Sequence, residues 1–324
     1  MRTEEPKRAV VAVIVLLAYH AGIAAAQTYP SRPIRFIVPG ATGASTDVLA
    51  RIVGQKLSEQ FGKQVIVDNR PGAGSIIGTD LLAKAAADGH TIGMIYTTHT
   101  ANASLQKLPY DPLRDFAPVT MLTSAPLVLV VYPGLPVNSM RELIALAKTK
   151  PLVYGSAGIG SGGHMSGELF RMMAGIDVTH VPHKGAAPAS IDVAAGNLAF
   201  QFVSQITVQA LLKGNRLRAI AVTSAKRAAS LPDVPTVAES GMSGYEVLNW
   251  FGVAAPARTP QTIVSRLHAA IVRSLELPEV RDKLTSEGSE IVGSSPEQFA
   301  QFLKRDLAKW AQVVKAAGIK AGDS

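Results

Sequence analysis

Two glycine-rich loops carry the residues best suited to chemistry in this chain of 324 residues. The first is Val38-Pro-Gly-Ala-Thr-Gly-Ala-Ser-Thr-Asp47, where Gly40, Ala41, Thr42, Gly43, Ser45, Thr46 and Asp47 are candidate ligand contacts. The second is Gly155-Ser-Ala-Gly-Ile-Gly-Ser-Gly-Gly-His164, where Gly158, Gly160, Ser161, Gly162 and His164 are candidates. Each loop runs from a short β-branched stretch into a helical one. At a helix N-terminus, free main-chain N–H groups and the helix dipole favour an anion. Glycine lets the backbone approach that anion closely. A matched pair, one per half of the chain, is the pattern expected of a clamp for an anionic molecule. Asp47 and His164 each stand where a helix starts, so each can cap the helix or touch the ligand. Thr97, Thr98 and His99, at the end of a third strand, and Ser204, at the end of a later one, are further candidates for the cleft.

Other chemistries find little support. Neither loop ends in Gly-Lys-Ser/Thr, so no ATPase-type phosphate loop is present. Gly72-Ala-Gly74 with Gly78 follows a strand, but its last spacing is one residue too long for a dinucleotide fingerprint. No Gly-x-Ser-x-Gly elbow surrounds Ser156, Ser161 or Ser243. His180 and His183 sit in a strand and its exit, where a spacing of three sends side chains to opposite faces. Lys184 follows a strand end and is expected to be solvated. There is no Cys, which removes disulfides, thiol catalysis and Cys-ligated metals. No catalytic residue, metal or cofactor is therefore expected.

These loops need elements to hold them. Ile34–Val38, Gln64–Val67 and Thr91–Tyr96 read as strands, with helices over 47–61 and 76–87 between them. This βαβαβ start implies a parallel sheet with right-handed crossovers. The alternation restarts at Leu127–Val131 and continues to Leu217–Val222. Thr259-Pro260 then opens a helix, and Ser295 with Gln298 forms a capping box for the last one. Along that last helix Phe299, Phe302, Leu303, Leu307, Trp310, Val313 and Val314 keep helical spacing and are expected to be core. The expected fold is α/β and two-lobed, each lobe a mainly parallel sheet flanked by helices. Residues 27–126 plus 250–324 would form lobe 1, and 127–249 lobe 2. The apolar stretches Leu127–Val131 and Val247–Ala254 are the expected crossovers, and the cleft between the lobes is the expected ligand site.

The N-terminal segment reads as an export signal. Lys7 and Arg8 precede an apolar run from Ala9 to Ile23, and Ala24-Ala25-Ala26 supplies the small residues a signal peptidase reads. The run is shorter than the ~20 residues of a spanning helix, so a cut after Ala26 is expected rather than a membrane anchor. The formal charge is +8, of which residues 1–26 hold +1, leaving a basic mature chain whose field favours anions. Basic residues are scattered and aromatics are few, which argues against nucleic acid.

The chain also resembles the Bug-type receptors, the substrate-binding proteins of tripartite tricarboxylate transporters. The resemblance rests on Tyr29-Pro-Ser-Arg-Pro-Ile34, Thr46-Asp-Val-Leu-Ala-Arg51, Val67-Asp-Asn-Arg-Pro-Gly-Ala-Gly74, Leu108-Pro-Tyr-Asp-Pro-Leu113 and Asp115-Phe-Ala-Pro-Val119. Tyr154-Gly-Ser-Ala-Gly158, Gly167-Glu-Leu-Phe170, Ala219-Ile-Ala-Val-Thr-Ser224 and Leu231-Pro-Asp-Val-Pro-Thr236 extend it over nearly the whole chain. It implies a type II periplasmic binding protein that closes on a small carboxylate held by the two loops. It also implies the permease subunits of a tripartite transporter as partners; a monomer is expected. Gly40 and Ala41 replace the family's usual Phe-Pro, and Ala44 and Ser45 replace two Gly, which predicts a roomier or wetter pocket. Val203 stands where amino-acid binders carry Asp, so an amino-acid ligand is disfavoured. His183 replaces the usual Tyr. The competing classes are a periplasmic hydrolase and a module that signals to a sensor; neither has a positive motif here.

Overall fold

The computed structural model describes residues 29–286 and 288–317. The expected signal and its cut after Ala26 lie outside these residues. Strands β1 (Ile34–Val38), β2 (Val65–Asn69) and β3 (Thr91–Tyr96) pair in parallel with β1 in the middle. Each leads into a helix: α1 (Ser45–Phe61), α2 (Ile76–Ala83) and α3 (Thr97–Leu105). The amphipathic pattern of α1 places Leu49, Val53 and Leu57 in the core, with Ile34 and Phe36 of β1.

The long strand β4 (Phe116–Val131) leads out of this sheet, and α4 (Met140–Ala147) follows it. A second parallel group is formed by β5 (Leu152–Ser156), flanked by β6 (Val178–Pro182) and β7 (Phe200–Ser204). The helices α5 (Gly162–Ala174), α6 (Ala186–Ala194) and α7 (Gln205–Lys213) follow these three strands, and β8 (Arg218–Val222) ends the group. Strand β9 (Leu248–Pro256) returns to the first sheet and leads to α8 (Gln261–Glu276), α9 (Pro278–Ser286), β10 (Glu290–Ile291) and α10 (Pro296–Ala317).

Strands β4 and β9 join the two sheets. The part of β4 from Phe116 to Pro126 runs antiparallel to β9, whose other edge pairs with β3. From Leu127 onward β4 lies antiparallel to β7 and β8. The strand thus starts at Phe116, well before the Leu127 expected from hydropathy. Pro118 and Pro126 hide the earlier part, because proline cannot donate to a ladder. The register also shifts between Pro118 and Thr120 and between Met121 and Thr123, as bulges do.

Helix α10 straps the joint. Its expected capping box is present: Gln298 N donates to Ser295 Oγ (3.2 Å), and Ser295 N to Gln298 Oε1 (2.9 Å). Phe299 and Leu303 pack with Trp250 of β9, whereas Trp310, Val313 and Val314 join the core around Tyr154, Phe170 and Phe200. One helix therefore contributes to the hydrophobic cores on both sides. Between its two apolar groups lies buried Asp306, which hydropathy could not mark as core. It accepts from Thr100 Oγ1 (2.7 Å), Trp310 Nε1 (3.0 Å) and Trp250 Nε1 (3.2 Å), and pairs with Lys309 (2.8 Å). That set of partners offsets the cost of burying the charge.

Candidate functional site

The first glycine-rich loop is organised by the residue expected to cap its helix. Helix α1 begins at Ser45 with Ala44 as N-cap, ahead of the expected start at Asp47. Asp47 instead lies within the first turn and reaches back, in the manner of a capping box. Its Oδ2 accepts from Gly43 N (2.9 Å) and Arg51 Nε (3.0 Å), and Arg51 Nη2 lies 3.0 Å from Oδ1. Burial alone would raise this carboxyl's pKa, but the bonds from Arg51, Gly43 and Asn69 hold it below the ordinary value. Asp47 is therefore the loop's anchor. Thr46 is buried, and its hydroxyl fills the space that a side chain at position 40 would take, so Gly40 accommodates it. Ala41, Thr42, Gly43 and Ser45 are exposed. With the Gly43, Ala44, Asp47 and Val48 amides engaged, the Ser45 and Thr46 amides remain without a helical acceptor.

The second loop is pinned by side chains beneath it. Ser156 Oγ accepts from Gly158 N (3.0 Å) and lies 3.1 Å from Gly158 O and 2.7 Å from His180 Nε2. Gly160 N donates to His164 Nδ1 (3.1 Å), so the amide expected to meet a ligand is directed into the protein. Ser161 is the N-cap of α5 and accepts from His164 N (3.3 Å). Burial pushes the His164 imidazole down to about 4; burial and the neighbouring His164 and His183 push His180 down to about 3. Both rings are therefore neutral at pH 7. Gly162, at the start of α5, lies where an added Cβ would be 3.4 Å from Leu127 and 3.7 Å from Asn249 Oδ1, at the joint between the lobes.

A cavity of about 230 Å3 opens at that joint. Gly43, Ser45 and Val48 bring it the start of α1; Ser204, Gln205 and Ile206 bring the start of α7. Ala125 and Pro126 of β4 with Asn249 and Phe251 of β9 form its floor, and Gly288 and Ser289 add to one side. No charged side chain is among these lining residues. The structure thus unites Gly43, Ser45 and Ser204 of the expected set around one cavity. The crossover residues were missed because they read as strand interior; Asn249, a lone amide in an apolar run, was their one visible signal.

Other expected contacts lie elsewhere. Thr97 is buried behind the floor, donating to Asn249 Oδ1 (3.1 Å), and Thr98 bonds Ser75 (2.7 Å). His99 is core: its Nε2 faces Pro112 O at 2.9 Å, and its ring meets Phe116 edge-on with centroids 4.9 Å apart. These three begin α3 rather than ending a strand loop. Val203 points into the core with Val128 and Val130, so Ser204 is the β7 residue that reaches the cavity. His183 pairs with Asp192 (2.8 Å).

Two α/β lobes joined by paired crossover strands, with a cavity at the joint, define a two-lobed periplasmic binding protein fold. The chain belongs to the tripartite tricarboxylate transporter family of receptors, whose model matches residues 49–319. It is 37% identical to Protein BugT of Bordetella pertussis over 317 residues, which cover 95% of this chain and 97% of that one. Among solved structures, R. palustris Rpa4515 with adipate shares 38% identity at a TM-score of 0.79, covering 90% of this chain and 99% of that one. MatC (Rpa3494) from Rhodopseudomonas palustris with bound malate shares 31% identity at a TM-score of 0.76, covering 88% and 100%. Among the described residues, no helix is long and apolar enough to cross a membrane.

Proposed function

We propose that this protein captures a small organic carboxylate in the cavity between its lobes, in the periplasm, and delivers it to the permease subunits of a tripartite transporter. The observation that carries this reading is the meeting of two helix starts, α1 and α7, over a floor of crossover strands. The Ser45 and Ser204 hydroxyls and the Gln205 and Asn249 amides are the polar contacts on that wall. The Ser45 and Thr46 main-chain amides donate from the first lobe, and the start of α5 approaches from the second. Val48, Pro126, Ile206 and Phe251 take the ligand's apolar body. No carboxylate is among the described residues that line the cavity. The net positive chain attracts anions.

Residues 27–126 with 250–324 and residues 127–249 are the two lobes in this reading, and α10 limits how far they swing apart. Residues 1–26 direct export and are removed by a cut after Ala26. The protein works as a monomer by binding, without turnover. The Ser156–His180 pair supports this: Ser156 is fully buried and engaged with both main-chain groups of Gly158.

A melting-shift screen of dicarboxylates, tricarboxylates and aromatic acids tests the proposal. Binding at about 100 times Kd stabilises the folded state by about 2.7 kcal/mol, and should raise Tm by about 5 °C or more. If no acid in the panel shifts Tm, the proposal is wrong.

A further inference from the structure

The second glycine-rich loop contains Gly158 and Gly160 at φ values of 122° and 76°, conformations that leave a free loop many alternatives. It needs something to hold it. Two side-chain pins do so: Ser156 Oγ on Gly158, and His164 Nδ1 on the Gly160 amide. The pins are joined below the loop. His180 bonds Ser156 Oγ and stacks on His164 with ring centroids 4.2 Å apart. Tyr154 lies against His180 (5.0 Å between centroids) and donates to buried Glu168 (2.8 Å), which pairs with Arg171 (2.9 Å). Above the loop, an added Cβ on Gly160 would lie 3.1 Å from Asn102 and 3.2 Å from Leu105 of α3, so this stretch meets the other lobe.

We propose that His164 is a positioning residue for ligand binding: its unprotonated Nδ1, backed by His180, holds the Gly160 amide inward and so presents the start of α5 to the carboxylate. This rests on the receptor reading above. The Gly162 and Gly163 amides, first in α5, have no helical acceptor, and their direction depends on the loop that precedes them. The chemistry required of position 164 is an acceptor at the Nδ1 position, not a charge, a metal ligand or an acid.

The test compares His164→Asn, whose amide oxygen can take the place of Nδ1, with His164→Gln and His164→Phe, which put no acceptor there. Affinity for adipate and malate is measured by calorimetry, and exchange of the Gly160 amide by NMR without ligand. His164→Asn should bind within about threefold of wild type and keep the Gly160 amide protected. His164→Gln and His164→Phe should lose tenfold or more in affinity and expose that amide. If Asn and Gln variants behave alike, or if His164→Phe binds as wild type does, the positioning role is refuted. Loss of folding in both the Asn and Gln variants would also refute it, by making His164 a folding residue. The exchange measurement stands without any ligand, so wild-type silence toward every acid would count against the receptor reading alone.

Discussion

At the scale of single residues, the site is built from neutral groups held by ionised or buried neighbours. Asp47 shows this most clearly. Its carboxylate takes the Gly43 amide and Arg51 together, so one side chain holds the Gly43 end of the first loop. Asp47→Ala should leave Arg51 without this partner and the Gly43 amide loose. We expect a loss of about 1–3 kcal/mol in denaturant unfolding, together with weaker acid binding. A variant unchanged in both would remove Asp47 from this role. The buried histidines set a pH dependence. His99 and His164 are held near 4 by burial, against 6.5 for the free side chain. Below pH 6.5 the unfolded chain takes up protons that the folded chain refuses, so stability falls as pH drops from 6.5 toward 4. At about 1.4 kcal/mol per unit, His164 alone accounts for roughly 3 kcal/mol across that window. Melting temperatures from pH 8 to 4 should be flat above 6.5 and decline below it; a flat profile down to pH 4.5 contradicts the buried neutral state.

At the scale of elements, what the sequence revealed depended on whether apolar spacing marked the element. The regular strands β1 and β3 and the apolar face of α10 were legible, because periodic hydrophobic residues decide them. Helix α3 was not. Its sequence, Thr-Thr-His-Thr-Ala-Asn-Ala-Ser-Leu, has mostly weak helix formers, and its buried face sets Thr97, His99, Thr100 and Asn102 beside only Ala101 and Leu105. Tertiary bonds stabilise it: Thr100 to Asp306, and Asn102 to Gly74 O (2.7 Å). The same blindness applied to the site. Glycine-rich loops announce helix starts, so the loop holding Gly43 and Ser45 was legible, but a cavity floor made of strand residues has no local signature. Asp306 is the sharpest element-level test, since it ties α10 to α3 and β9. Asp306→Ala removes the acceptor for two indole N–H groups and a hydroxyl; we expect a loss of about 3–5 kcal/mol by denaturant titration. A loss below 1 kcal/mol would show that the strap does not rely on it.

At the scale of the whole molecule, two crossover strands and one spanning helix join lobes that meet around a small cavity. Family membership, the solved relatives holding adipate and malate, and the helix starts at the cavity wall all lead to one central claim: the inter-lobe cavity is where this protein takes up its carboxylate. Ser204 is the place to challenge it. It reaches the cavity from the second lobe and caps α7 without a side-chain hydrogen bond, so replacing it with a large ring fills the cavity at little cost to the helix. The direct measurement is calorimetric titration of an organic-acid panel into wild type and Ser204→Trp. The account predicts that wild type binds at least one acid with one site per chain. It also predicts that Ser204→Trp, with its melting temperature within a few degrees of wild type, binds none. An acid that binds both proteins equally well would place the site elsewhere and contradict the claim.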